Sequence, residues 1–586
     1  MHIARLHIRN FRCLSDVELS FDSGLNVIIG ENNSGKTAAL DALRLILARG
    51  DERPGVWITE KDFHVDAAGA RASVIEISIV FSDLSEEEMA AFVEMLVLRE
   101  DEEPELHLHV RYEWDIERER VRSPTVWGGE CEGQAVPGEV LQLIYHVHLD
   151  ALRDAARFIA PGRGSRIAEL VCRLVADAGD RELLEQEIYG AIEGLEKWAE
   201  VRTLTGDTIA SHLEQVTLGD SAHSVDVGFV EAGFRRITES LRLHLLRNRG
   251  AEQAEAVAGE SPVAPFDVTQ NGLGYNNLLY AATVFGDLLR IADTDPTAHL
   301  SLLIEEPEAH LHPQLQRLFF RYLESFGETA EGRVQVFVTS HSPTICARAD
   351  LDRINVLALR AEGPDAVGLT QMPIASDNKL KLRRFLDVTK AQLFFATGVI
   401  FVEGISEALL LPFLAERLGE TYSLTKLGIE VVNVGGAMFE PFAELFNAGD
   451  SAERLGIRGA IVTDDDRDKA GEAEEMTSRA ANAKALEGGL LRVFLAQMTF
   501  EYELYLRNEA LLVEAYRRIH PQAKDPQGAT VEERAAAFVG KVHRAGSKAR
   551  LAQEASFLLE NEERLKRLLV PGYIEEAIRW VAVEHG

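Results

Sequence analysis

Eight consecutive residues constrain this chain more than any others: Gly30-Glu31-Asn32-Asn33-Ser34-Gly35-Lys36-Thr37. They spell G-x4-G-K-T between LNVIIG, an apolar run that reads as a buried strand, and TAALDALRLILA, which repeats with a helical period. In that strand–loop–helix setting the glycines let the backbone curl. The N–H groups around Gly30, Asn32, Asn33, Ser34 and Gly35 then point at phosphate oxygens, and the helix N-terminus adds partial positive charge. Lys36 is expected to reach the β- and γ-phosphates of ATP, and the Thr37 hydroxyl to hold the accompanying Mg2+.

Two later segments fit the same chemistry. In LSLLIEEPEAHLHPQLQ (300–316) an apolar strand ends in Glu305-Glu306. There Glu305 belongs to the Mg2+ shell, and Glu306 would orient and polarise the attacking water. In VQVFVTSHSPT a strand over 334–338 leads to His341, where a γ-phosphate-sensing histidine is expected. His310 and His312 form an H-x-H, but their place after the two acids suits shaping that loop better than binding metal. Glu305 stands 269 positions after Lys36, enough to split a P-loop domain with a long insertion. Strand-like runs at IARLHI, ASVIEISIVF and ELHLHVRYEW and a helical acidic stretch near Glu86–Glu102 precede a helical block at 151–250. Residues 250–265 read as a loop.

After about residue 375 a second alternation of strands and helices begins. Val399–Val402 ends at Glu403-Gly404 and leads into a helix carrying Glu407. IEVVNVGG, with a helix expected over Phe439–Asn447, then GAIVTDDDR and LRVFLA, complete a parallel α/β pattern. Ligand sites in such sheets lie at the carboxyl ends of strands, where Glu403, Asp464 and Asp466 stand. Residues 464 and 466 share a face if extended. Carboxylates converging there with no obvious Arg partners would repel one another, and divalent cations resolve that repulsion. Lys379, Lys381, Arg383, Arg384 and Lys390 cluster just upstream, readable as a solvated linker helix or as a phosphate-contacting patch.

Asn10-Phe11-Arg12, GENNSGKT, EEPEAHLHP and TSHSP together resemble the ABC-type ATPases of the SMC/RecF kind. The resemblance implies composite ATP sites closed by a second protomer's signature segment, matched here by 270–276 with Gly272 and Gly274; it departs from Leu-Ser-Gly-Gly-Gln. Glu403, Asp464 and Asp466 resemble the pattern of a Toprim domain. No tyrosine-bearing DNA gate and no zinc module accompany it, which disfavours topoisomerase and primase and leaves hydrolysis. An SMC/RecF-like ATPase followed by Toprim is the layout of the OLD (overcoming lysogenization defect) nucleases, to which the Gabija nuclease belongs. The resemblance implies two metal sites taking Mg2+, Mn2+ or Ca2+. Glu403, Glu407 and Asp464 match the first, and Asp466 with Glu501 the second. It also implies an active-site lysine, with Lys548 the closest match and Lys541 its rival.

The expected class is α/β: ATPase residues 1–150 and 246–375, a helical dimerisation insertion at 151–245, and a Toprim domain with a helical tail at 376–586. The expected activity is an ATP-binding, metal-dependent DNA endonuclease or nickase in phage defence or DNA repair. The competing reading is an ATP-gated DNA clamp or scaffold whose Toprim metal site does not turn over. The formal charge of −34 excludes DNA binding by bulk positive charge, so contact is expected through metals and a few basic side chains. Four scattered cysteines without a CxxC pair argue against a disulfide framework, and no apolar run reaches membrane-spanning length. With no signal-like start, a cytoplasmic homodimer or higher oligomer is expected, with room for a helicase-like companion.

Overall fold

The computed structural model describes all residues except 51–55, 151–159, 163–164, 176, 197–232, 242–243, 246–265, 268–272, 310, 330–332, 361–362, 437, 452, 466–475 and 584–586. The chain forms two compact units, one of residues 1–148 with 296–586, the other of 149–295.

The first unit opens with β1 (His2–Phe11), which turns back on β2 (Leu14–Ser20); β3 (Leu25–Gly30) then feeds α1 (Lys36–Leu47). β4 (Val74–Ser82), β5 (Glu105–Asp115) and β6 (Thr125–Gly128) join β1 and β2 in an antiparallel sheet. Alternation builds it: in β4, Ile75, Ile77, Ile79 and Phe81 are fully buried while their neighbours are not. β2 is an addition to the expected strands. The acidic helix is shorter than expected, Glu86–Ala91, because Phe92 and Met95 turn into the core.

The second sheet contains β7 (Ile144–Leu149), β8 (His299–Glu305), β9 (Val334–Ser340), β10 (Ile354–Arg360) and β11 (Gly363–Gly368). Its order is β11-β10-β3-β9-β8-β7, with β10, β3, β9 and β8 parallel. Every residue of β3 and β9 is buried, as a central parallel strand requires.

Downstream, the third sheet is wholly parallel: β12 (Gly398–Val402), β13 (Ile429–Asn433), β14 (Arg458–Asp464) and β15 (Leu491–Ala496), in the order β13-β12-β14-β15. The helix expected over Phe439–Asn447 spans only Glu440–Ala443. Ile400, Val402, Ala460 and Val462 pack with Leu411, Tyr505, Leu551 and Ile578 in one core. Burying such aliphatic side chains is worth about 1.5–3 kcal/mol each.

In the second unit, taken by itself, helices dominate the described residues: Arg166–Leu174, Ala178–Glu196, Phe234–Thr238 and Leu273–Thr294. The expected loop at 250–265 lies outside the described residues.

Candidate functional site

The register of the second sheet gathers the first set of functional side chains. Gly30 lies opposite Leu357, Ile29 opposite Ser340, and Thr339 opposite Glu305, so the carboxyl ends of β3, β8 and β9 share one edge. Gly30 is required there: a Cβ would stand 2.2 Å from the Leu357 carbonyl oxygen. Lys36, buried, donates from Nζ to the carbonyls of Gly30 (2.9 Å) and Glu31 (2.5 Å). Burial lowers its ammonium to about 8 against the pull of Glu306, Glu308 and Glu31. Ser34 and Gly35 are buried, while Asn32, Asn33 and Thr37 are exposed; Asn33 has φ 66°. The Thr37 hydroxyl donates to Glu305 Oε1 at 2.5 Å.

Glu306 follows β8 with φ 44°, and its Oε1 lies 3.2 Å from His341 Nε2. Burial and then the nearby Lys36 lower the His341 imidazole, despite Glu306. Sequence reasoning gave no role to Glu308. Its Oε1 accepts from Ser340 Oγ and the His341 N–H, both at 2.8 Å, and so ties the 305–308 segment to the His341 turn. Its place in EEPEAH was the available signal. His312 is exposed, and His310, Gln270, Asn271 and Gly272 lie outside the described residues. Gly274 occupies the first turn of the Leu273–Thr294 helix.

The third sheet assembles a second set. Glu403 directly follows β12, and Glu407 lies in the first turn of α2 (Ile405–Leu418). Asp464 ends β14, and Glu501 lies in the first turn of α3 (Phe500–Ile519), which Thr499 caps by accepting from the Tyr502 N–H. After α4 (Val531–Arg544), Lys548 starts α5 (Lys548–Leu559). Glu407, Asp464 and Glu501 are buried. Asp464 Oδ1 accepts from the Phe500 N–H at 2.9 Å, which locks β14 to the start of α3.

Burial pushes the Glu407 carboxyl up to about 7, helped by Glu501 and Glu403. It raises Asp464 well above the usual carboxylate range, helped by Glu407, Glu501 and Glu403. Lys548 Nζ lies 3.1 Å from Glu501 Oε2. Its own burial lowers the ammonium, but Glu501, Asp464 and Glu407 outweigh that and raise it. Lys541 is elsewhere, donating to the carbonyls of Lys524 (2.8 Å) and Asp525 (3.2 Å).

The absence of an arginine near these carboxylates is corrected: Arg479 pairs with Glu403, which also accepts from the Thr463 hydroxyl. With Glu403 turned to Arg479 and Glu501 to Lys548, no three His, Cys, Asp or Glu side chains among the described residues stand close enough to share one ion. Asp466 lies outside the described residues. In the upstream basic cluster Lys379 pairs with Asp352, Arg383 with Asp350 and Lys390 with Asp387. Among the described residues no helix is long and apolar enough to cross a membrane.

Comparison with known proteins adds the following. An AAA ATPase domain matches residues 1–100 and 262–346, and an overcoming lysogenization defect protein-like TOPRIM domain matches 394–466. An OLD nuclease of Thermus scotoductus is 25% identical over 535 residues, covering 87% of this chain and 92% of that protein. The endonuclease GajA of Bacillus cereus is 27% identical over 221 residues, 33% of this chain and 30% of its own length. Among solved structures, the C-terminal region of the Xanthomonas campestris OLD protein is 25% identical over 33% of this chain and 94% of that one, with a TM-score of 0.24.

Proposed function

We propose that this OLD-like chain, an ATPase domain joined to a TOPRIM domain, is a divalent-cation-dependent DNA endonuclease or nickase regulated by ATP. The observation that carries the reading is the placement of four acids at the carboxyl edge of a parallel sheet, Glu403 after β12, Asp464 at the end of β14, and Glu407 and Glu501 in the first turns of α2 and α3, with Lys548 beside Glu501.

The donor set fits a hard cation. All four acids offer oxygen, and their burial and mutual repulsion hold protons on Glu407 and Asp464 beyond the usual carboxylate range. Glu403, Glu407 and Asp464 would hold one ion of Mg2+, Mn2+ or Ca2+, and Asp466 with Glu501 a second. Such ions, when bound, lower the pKa of water and offset charge on a phosphodiester. The chain's own groups do the rest. Lys548, freed from Glu501, brings positive charge to a non-bridging phosphate oxygen. Arg479, displaced from Glu403, supplies a second cation for the DNA backbone.

At the other site Lys36 exchanges two loop carbonyls for ATP phosphates, while Thr37 and Glu305 take the Mg2+. Glu306 orients the attacking water, and His341 holds Glu306 in place. In this reading a second copy completes the nucleotide site through Gly272 and Gly274, residues 151–245 form the interface, and a helicase-like companion is a further partner. The protein works in the cytoplasm, in phage defence or DNA repair.

The test is nicking of supercoiled plasmid with Mg2+ or Mn2+, with and without ATP. Wild type should nick, Asp464→Ala should not, and Lys36→Ala should lose only the response to ATP. Intact plasmid under every condition, with ATP still hydrolysed, would replace this reading with the ATP-gated clamp.

A further inference from the structure

Beside Glu403 the protein carries an open pocket of about 670 Å3. Thr463 lines it from the end of β14, Phe439 and Glu440 from the segment after β13, and Ser478, Arg479 and Asn482 from the helix Ser478–Lys484. Contacts tie each lining segment to Glu403. The Thr463 hydroxyl donates to its carboxylate, and Arg479 pairs with the same carboxylate. The Gly436 N–H, just upstream of Phe439, donates to the Glu403 carbonyl at 2.9 Å. The helix is fixed at both ends: the Thr477 N–H donates to Asp465 Oδ1 at 2.9 Å, and Lys484 Nζ to the Val493 carbonyl of β15 at 2.9 Å. The pocket is therefore built on the sheet that carries the acids, and it opens next to one of them.

The lining selects a ligand by its chemistry. Arg479 suits an anion, but Glu440 opposes one, so a bare phosphate is a poor match. A nucleotide matches both: its phosphate meets Arg479, and its base carries N–H donors for Glu440. Asn482 is exposed, and its amide donates and accepts at once, as a base edge requires. Ser478, Arg479 and Asn482 stand three and four positions apart, on one helix face. Met438 and Met476, exposed just before the two walls, are side chains of the kind that wedge between base steps. The volume suits a small ligand, for which sites run to ~300–1,000 Å3, and is far too small for a duplex. We infer that this pocket receives one unpaired nucleotide of the DNA strand beside the phosphodiester to be cut, so that DNA carrying unpaired nucleotides is the preferred substrate class. This rests on the endonuclease reading above. A base in an intact duplex must first leave its pair and its stack, whereas an unpaired one enters without that cost.

The experiment compares full-length wild type, Asn482→Ala, Asn482→Trp and Asp464→Ala on a fluorescein-labelled duplex and on the same duplex with a central bubble. Binding is read by anisotropy in EDTA, and cleavage in Mn2+. Wild type should bind the bubble at least ~10-fold tighter than the paired duplex and cut it at the bubble. Asn482→Trp, which fills the pocket from an exposed position, should remove that preference at an unchanged melting temperature. Asn482→Ala, which only deletes the amide, should reduce it about fivefold, the lower end of what a paired amide–base contact is worth. Equal affinity of wild type for the two DNAs would overturn the inference, as would a preference that both Asn482 variants retain. Equilibrium dialysis with free deoxycytidine monophosphate separates a strand from a free nucleotide: binding tighter than that of the bubble, and lost in Asn482→Trp, would assign the pocket to the free nucleotide instead. Preferential binding of a bubble that wild type, like Asp464→Ala, leaves uncut would keep the pocket and sink the endonuclease reading. Cleavage that Asp464→Ala abolishes, with no preference for the bubble, would do the reverse.

Discussion

Glu407 gives the sharpest quantitative prediction. Its carboxyl is moved from an ordinary 4.5 to about 7, first by burial and then by Glu501 and Glu403. A folded chain that keeps this proton while the unfolded chain releases it loses stability as pH rises. The sign follows from linkage: between about 4.5 and 7 the folded state binds more protons than the unfolded one, so stability falls with pH and levels off above 7. At ~1.4 kcal/mol for each tenfold change in proton affinity, the full loss is ~3 kcal/mol. Glu407→Gln imitates the protonated carboxyl and cannot lose the proton. In EDTA, wild type should therefore melt progressively lower from pH 5 to pH 8 relative to the variant. At pH 8 Glu407→Gln should be the more stable by about 2–3 kcal/mol, and at pH 4.5 the two should coincide. Saturating Mn2+ at pH 8 should recover the loss in wild type and much less of it in the variant. Melting by differential scanning calorimetry across that range reads all three. Parallel curves for the two proteins, or a wild type that gains stability between pH 5 and 7, would refute the assignment of a buried, proton-holding Glu407.

The remaining predictions follow from the same geometry. Lys36→Met should weaken ATP binding at least ~10-fold, the worth of a charge-assisted hydrogen bond, as read by fluorescent-nucleotide titration. Gly30→Ala should lower the melting temperature as well as ATP affinity, because its Cβ meets the Leu357 carbonyl at 2.2 Å and the strand must shift at a cost of about 1–3 kcal/mol. Asn508 interrupts α3 with φ −134° and ties the break to Leu569, donating to its carbonyl and accepting from its N–H, both at 2.8 Å. Asn508→Ala should cost about 2–4 kcal/mol in urea unfolding of the full chain through the loss of these buried bonds. Glu306→Gln should leave ATP bound but slow its hydrolysis by at least ~100-fold in a phosphate-release assay, since a neutral amide polarises water poorly.

Several features of the fold and site were legible in the order of residues because they depend on near neighbours. The phosphate loop needs Gly30, Gly35, Lys36 and Thr37 within eight positions between a strand and a helix, and the structure has that strand and helix. Glu305 and Glu403 could be read because an apolar strand that ends in an acid carries its own signal. The short Glu86–Ala91 helix and the four-residue Glu440–Ala443 helix were not legible. There local helical propensity competes with aromatic side chains drawn into the core, Phe92 in one case and Phe442 and Phe446 in the other.

What the sequence determined by itself is the chemistry available: a phosphate cradle, paired acids after apolar strands, and an acidic surface too negative for indiscriminate DNA binding. Only the tertiary structure decided which charges meet. Arg479 reaches Glu403 across 76 positions, and Lys548 at the start of α5 comes to Glu501, while Lys541 on α4 turns to the carbonyls of Lys524 and Asp525. The proton affinities of Glu407 and Asp464 belong to this second category. Desolvation and like-charge repulsion arise from every element packed around a group, and no stretch of sequence contains all of them.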